Sequence, residues 1–310
     1  MSLPDIVIVG GGMAGASLGA ELAGYHATAR SVAFWEETYG GPAVQPLTTS
    51  SGPMLAAPDP DFHDGSFLSP RRTLHIGRAS DEAALDALIA DFAGRVDLQP
   101  VDPAAYVPGL RSDWMLGVME ASCRDIDVAA LHQAWLRQLR RRGGTMQLGA
   151  RLISARCEGS GLPSPDLPLV MDLGGGFYFK PEGRDRVWLT PHDEVPSPPC
   201  DAAPEEMAVA QAVARFEAVV DWPVAGIEHR WAGLRSFAPD RAPVYGFDPD
   251  MPGFFWFAGQ GGFGIQTAPA AATLAASLIR GVAPPAHLAP IDAATYDPAR
   301  FRSSIARLVL

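Results

Sequence analysis

Hydrophobic and polar positions alternate along this chain with two periods, and each period marks a kind of element. Short apolar runs bounded by turn residues stand at Asp5–Val9, within Gly176–Lys180 and over Gly253–Ala258; they predict strands, the last of them buried. Apolar residues at helical spacing recur over Glu82–Phe92. They recur more strongly over Ile126–Arg142, where Val128, Leu131, Trp135, Leu136 and Leu139 share one face. Further helices are expected over Glu205–Val220 and over the small-residue stretch Ala268–Arg280, which Gly281 would end. Thr145–Arg156 predicts a strand and Gly161–Pro168 a loop, while Gly40–Arg72 and Asp193–Pro204 are rich in proline and other turn formers and predict loops. Arg140, Arg141 and Arg142 close a helix before Gly143 and Gly144, which is ordinary termination chemistry and not an anion site.

Two glycine loops interrupt this pattern, each between an apolar strand and a helix. In the first, Gly10, Gly12 and Gly15, with Met13 and Ala14 between them, let the turn tighten and let backbone N–H groups approach a pyrophosphate at the helix N-terminus. In the second, Gly261, Gly262, Phe263, Gly264, Ile265 and Gln266 place N–H groups and a helix dipole where negative charge would develop, as on a reduced flavin. An NAD dehydrogenase needs only the first loop. Between the loops, Arg235 in an apolar setting offers a fork for a carboxylate, belonging either to a substrate or to a neighbouring aspartate.

Composition narrows the partners. A formal charge of -11 and a pI near 5.0 repel nucleic acid and anionic membrane surfaces. Cys123, Cys157 and Cys200 are odd in number and lack metal-ligand spacing, and His26 and His132 have no metal-ligand companions, so no metal site is expected. No signal peptide or transmembrane segment is expected, and a cytoplasmic location follows as the expectation.

The motifs VIVGGGMAGAS, GYHATARS with ETYG, LSPR, DIDVAALHQAWLR, FYFKP, WAGLRSF and AGQGGFGIQT run in order from end to end. Together they resemble the D-amino-acid oxidase superfamily of FAD enzymes, and among its branches the bacterial D-arginine dehydrogenase-like one. The resemblance implies an α/β architecture, α+β overall: a doubly wound Rossmann-type FAD domain from residues 1–55, 124–161 and 236–310, and an inserted antiparallel-sheet substrate domain from residues 56–123 and 162–235. It implies FAD held non-covalently by the two glycine loops, with Arg30 and Ser31 beside it, and a small-molecule substrate whose carboxylate is gripped by Arg235, assisted by Tyr178 and Tyr39, near Gly262. The implied reaction is hydride transfer from the substrate's alpha carbon to flavin N5, giving an imino acid that hydrolyses. The electron acceptor is left open.

Departures from that pattern sharpen the expectation. Ala23 runs directly into Gly24-Tyr25-His26 where relatives insert a second strand with an acidic end, and a further segment with an NAAG-type turn is missing near Gly161. Val32–Glu36 could replace the strand, with Glu36 on the ribose; the GYHATARS match instead puts Phe34–Tyr39 on the substrate side. Phe34 stands where the D-arginine branch has histidine, and Thr73 where it has an acidic residue. Loss of that counter-charge predicts a neutral D-amino acid over D-arginine or D-lysine. The alternative is a degenerate relative that binds no FAD.

Overall fold

A computed structural model of the chain describes residues 33–142, 166–182, 186–192, 195–198, 202–222, 224, 226–228 and 230–302. Its strands are β1 (Phe34–Trp35), β2 (Leu68–Pro70), β3 (Thr73–Gly77), β4 (Leu98–Pro100), β5 (Leu116–Glu120), β6 (Arg124–Ile126), β7 (Leu169–Asp172), β8 (Tyr178–Glu182), β9 (Arg186–Thr190), β10 (Val244–Phe247) and β11 (Phe255–Ala258). Its α-helices are α1 (Gln45–Ala56), α2 (Glu82–Phe92), α3 (Val128–Arg141), α4 (Glu206–Glu217) and α5 (Ala268–Arg280). The chain divides into two compact units, one of residues Met1–Ser69, Asp125–Gly149 and Arg235–Leu310, the other of Pro70–Arg124 and Ala150–Leu234.

In the first unit, α3 buries the face the spacing predicts. Leu131, Trp135, Leu136 and Leu139 pack with Leu55, Phe62 and Phe67, while Asp127 caps the helix by accepting from the Ala130 N–H at 2.8 Å. Helix α5 ends as expected at Gly281, whose φ of +65° lets the Val282 N–H reach the Ser277 carbonyl at 3.0 Å. Two expectations give way. Gln45–Ala56, read as loop, is a helix: Pro46 sits in its permissive first turn, and Gln45, Thr48, Gly52 and Leu55 fall on one buried face at helical spacing. Gly52 there lies so close to Trp35 that an added Cβ would stand 2.9 Å from the indole ring. The small residues that weaken local helix propensity are thus the surface on which tertiary packing depends. Strand β11, read as buried, pairs only with β10 among the described residues and leaves Trp256 partly exposed.

The second unit is built on a six-stranded sheet in the order β4-β5-β3-β7-β8-β9, antiparallel except for the parallel pair β3–β7. One face carries Leu74, Ile76, Met119, Val170 and Phe179, which form a core with Phe216 of α4 and with Val219 and Val220 just beyond it. Strand alternation puts the remaining side chains on the other face. There the register sets Val118, His75, Met171, Tyr178 and Thr190 in one row across five strands, with Glu120 opposite Thr73 in the next. Thr73, His75, Glu120 and Lys180 on this polar face are all buried.

Candidate active site

The glycine loop and the Phe34–Gly40 segment meet in the first unit through Gln266. Its side-chain Nε2 lies 3.2 Å from the Glu36 carbonyl, 3.1 Å from the Tyr39 carbonyl and 2.9 Å from Thr48 Oγ1, while its Oε1 accepts from the Glu36 N–H at 3.2 Å. Gln266 is buried, so its side chain works as a strap between segments about 230 residues apart in sequence. Tyr39 is brought edge-on to Phe34, with ring centroids 5.1 Å apart, and to Phe263, 6.0 Å apart. A Cβ at Gly262 would stand 2.4 Å from Tyr39 Oη, so this glycine is dictated by the tyrosine beside it. Glu36 accepts from Thr38 Oγ1 at 3.0 Å.

Arg235 reaches the same loop through an aromatic ring. Its guanidinium carbon lies 5.3 Å from the Phe237 centroid, and Arg241 approaches that ring at 4.5 Å. Phe237 bridges to Gln260, and its Cε1 would be 2.4 Å from a Cβ on Gly261, whose φ is +51°. Tyr39, Gly261, Gly262, Phe263 and Arg235 are therefore assembled around one loop. Tyr178 belongs to the second unit, on the polar face of β8. Gly10, Gly12, Met13, Ala14, Gly15, Arg30 and Ser31 lie outside the described residues, as do His26, Cys157, Cys200 and the junctions at Ala23 and Gly161.

Sequence reasoning passed over three residues on the polar face of the second unit. A ring nitrogen of His75 and a carboxylate oxygen of Glu120 lie within 4.8 Å of one another, and Ser122 Oγ donates to Glu120 at 2.9 Å. The acidic group absent at position 73 thus stands one strand away, directly opposite Thr73. His192 lies edge-on to Tyr178 with centroids 5.5 Å apart. The available signal was a polar residue at the inward phase of each apolar strand, in TLHIG and LGVME.

The fit of this loop to an anionic ring system is testable on the chain itself. Among the described residues, the backbone N–H groups of Gly262, Gly264, Ile265 and Gln266 donate to no protein acceptor, and they stand just before the N-terminus of α5. Uncommitted amides at a helix start, on a scaffold of α/β type, make a site for negative charge.

Residues 154–278 match the family model described as DAO, FAD dependent oxidoreductase. Among solved structures, L-proline dehydrogenase from P. horikoshii superposes with a TM-score of 0.74 at 15% identity, covering 95% of this chain and 96% of that one. Glycine oxidase from Geobacillus kaustophilus gives 0.72 at 17% identity, covering 93% and 96%. FAD-bound L-alpha-glycerophosphate oxidase from Mycoplasma pneumoniae gives 0.67 at 13% identity, covering 87% and 93%. The fold is the Rossmann-like α/β fold of these proteins. The matched family is one of FAD dependent oxidoreductases, and the Mycoplasma pneumoniae oxidase is a structure with FAD bound. Among the described residues no helix is long and apolar enough to cross a membrane.

Proposed function

We propose that this chain is an FAD-dependent oxidoreductase that oxidises a small neutral amino acid, with a D-amino acid as the expected stereochemistry. The observation that carries the reading is the set of four amides, those of Gly262, Gly264, Ile265 and Gln266, that donate to no acceptor among the described residues just before α5 and would favour negative charge on a reduced flavin. Bound FAD would supply a hydride acceptor at its N5. The amides of Gly262, Gly264, Ile265 and Gln266 in the Gly261–Gln266 loop would hold it, together with the loop of Gly10, Gly12 and Gly15. We assign Arg235 to the substrate carboxylate, assisted by the hydroxyls of Tyr39 and Tyr178. Binding and orienting the substrate C–H is what these side chains contribute; no protein nucleophile is needed. In domain terms, the unit containing α5, which also carries Arg235 and Tyr39, would bind FAD.

Neutral substrates are favoured by Thr73, an uncharged and buried residue, and by the state of its neighbour. Glu120 already accepts from Ser122 and sits beside His75, so its charge is engaged within the protein. A cationic side chain would have to be desolvated without a dedicated partner. The L-proline dehydrogenase and glycine oxidase among the structural neighbours act on small amino acids with no charged side chain, which is consistent with this reading. The test is a comparison of kcat/KM for D-alanine, D-proline, glycine and D-arginine. A preference for D-arginine of more than about tenfold, about 1.4 kcal/mol, overturns the neutral-substrate reading.

A further inference from the structure

We propose that His192 is a positioning residue that holds the Tyr178 ring for substrate binding; the inference rests on the reading that Tyr178 assists the substrate carboxylate. Thr190, the last residue of β9, is the cross-strand partner of Tyr178, so a residue two positions on shares its face by alternation but lies past the tyrosine unless the chain turns back after the strand. It does so at His192, whose φ of +50° places a non-glycine, ring-bearing residue in the left-handed region. Such a conformation persists only where the surroundings over-determine it.

Four hydrogen bonds do that here. The His192 N–H donates to Thr190 Oγ1 at 3.1 Å, and His192 Nδ1 lies 3.1 Å from the Gly175 carbonyl. Arg215 of α4 donates to the carbonyls of Pro191 at 2.9 Å and Gly176 at 2.6 Å, tying the residue before His192 to the turn before Tyr178. A carbonyl can only accept, so Nδ1 carries the proton, and in the neutral ring Nε2 is left as an acceptor. This local strain sets the imidazole edge-on to Tyr178, with centroids 5.5 Å apart and planes at 68°. Glycine or asparagine would make the same turn more cheaply, so the ring is what the strained backbone presents.

The test uses the FAD-loaded protein and the variants His192→Asn, Tyr178→Phe and the double variant, with D-alanine, D-proline and glycine as probes. Asparagine tolerates the left-handed backbone and keeps an N–H donor for Gly175, so H192N is expected to fold and retain flavin while lacking the ring. Expected is a KM raised about tenfold in H192N with kcat within about twofold, since a contact made equally in ground and transition states acts on KM. The double variant should be no worse than Y178F, because His192 acts through Tyr178. A wild-type KM in H192N, or effects that simply multiply in the double variant, overturns the role of His192. A wild-type KM in Y178F, or no turnover of any probe by the wild type, instead removes the reading on which it rests. A 19F spectrum of protein carrying 3-fluorotyrosine gives a substrate-free check. The resonance missing from Y178F should move or broaden in H192N, and an unchanged resonance contradicts the contact.

Discussion

Replacing Gln266 by leucine removes the strap between the glycine loop and the Phe34–Gly40 segment. The amide has two protons on Nε2, shared among three acceptors at 2.9–3.2 Å, and one accepted bond from the Glu36 N–H at 3.2 Å. Counting three effective bonds at about 1 kcal/mol each gives a cost of roughly 3 kcal/mol. The cost rises if the buried Thr48 hydroxyl finds no substitute for the Gln266 amide. Set against a total stability of about 5–15 kcal/mol, that is a large fraction. At about 2–4 °C per kcal/mol for a unit of this size, the melting temperature should fall by roughly 6–12 °C. Because a chain of two compact units need not unfold in a single step, a melt alone does not locate the loss. Hydrogen exchange followed by mass spectrometry does: peptides spanning residues 36–48 and 260–268 should exchange faster, while β3, β5 and β8 stay protected. A variant that melts within about 2 °C of wild type, with unchanged exchange in those peptides, would refute the strap.

Gly262→Ala should displace Tyr39, because the added methyl meets its hydroxyl at 2.4 Å. Adding Tyr39→Phe should restore part of the lost flavin content, since the nearest remaining ring atom would then be at 3.2 Å. A double variant that retains no more flavin than Gly262→Ala alone counts against the contact. Asp240 receives Arg300 at 2.7 Å and 3.1 Å, and that hydrogen bond holds its carboxyl below the usual carboxylate range. A lowered folded-state value means stability fully present above the unfolded value of about 3.9 and lost as pH falls through the folded value. Wild type and Asp240→Asn should therefore differ most at pH 6–7 and converge below about pH 4 in thermal melts; a gap that widens in acid would reverse the sign of the argument.

Elements whose pattern is local were legible in the sequence. Helix α2 has the bounds its periodicity predicts, and α5 stops at the glycine that its left-handed cap requires. Helix α1 was hidden because Pro53, Gly52 and the serines before them signal a loop, while the forces that wind it are contacts with Trp35 and with Ala270, whose N–H donates to Ser51 Oγ at 3.1 Å. Tyr39, Gly262 and Arg235 could be named from motifs, but the side-chain role of Gln266 and the intermediary Phe237 could not. Both depend on partners far off in sequence. Glu120 stands at the inward phase of LGVME, but its place opposite Thr73 is set by strand register, and His192 is aimed by a backbone turn; neither the register nor the turn leaves a periodic trace.

The central claim is tested most directly by the visible absorption spectrum of the purified protein, recorded before and after anaerobic addition of D-alanine, D-proline and glycine. Flavin bands that bleach on addition are the predicted result. A colourless protein that stays colourless when FAD is supplied would contradict the account, leaving a scaffold of this fold without its chemistry.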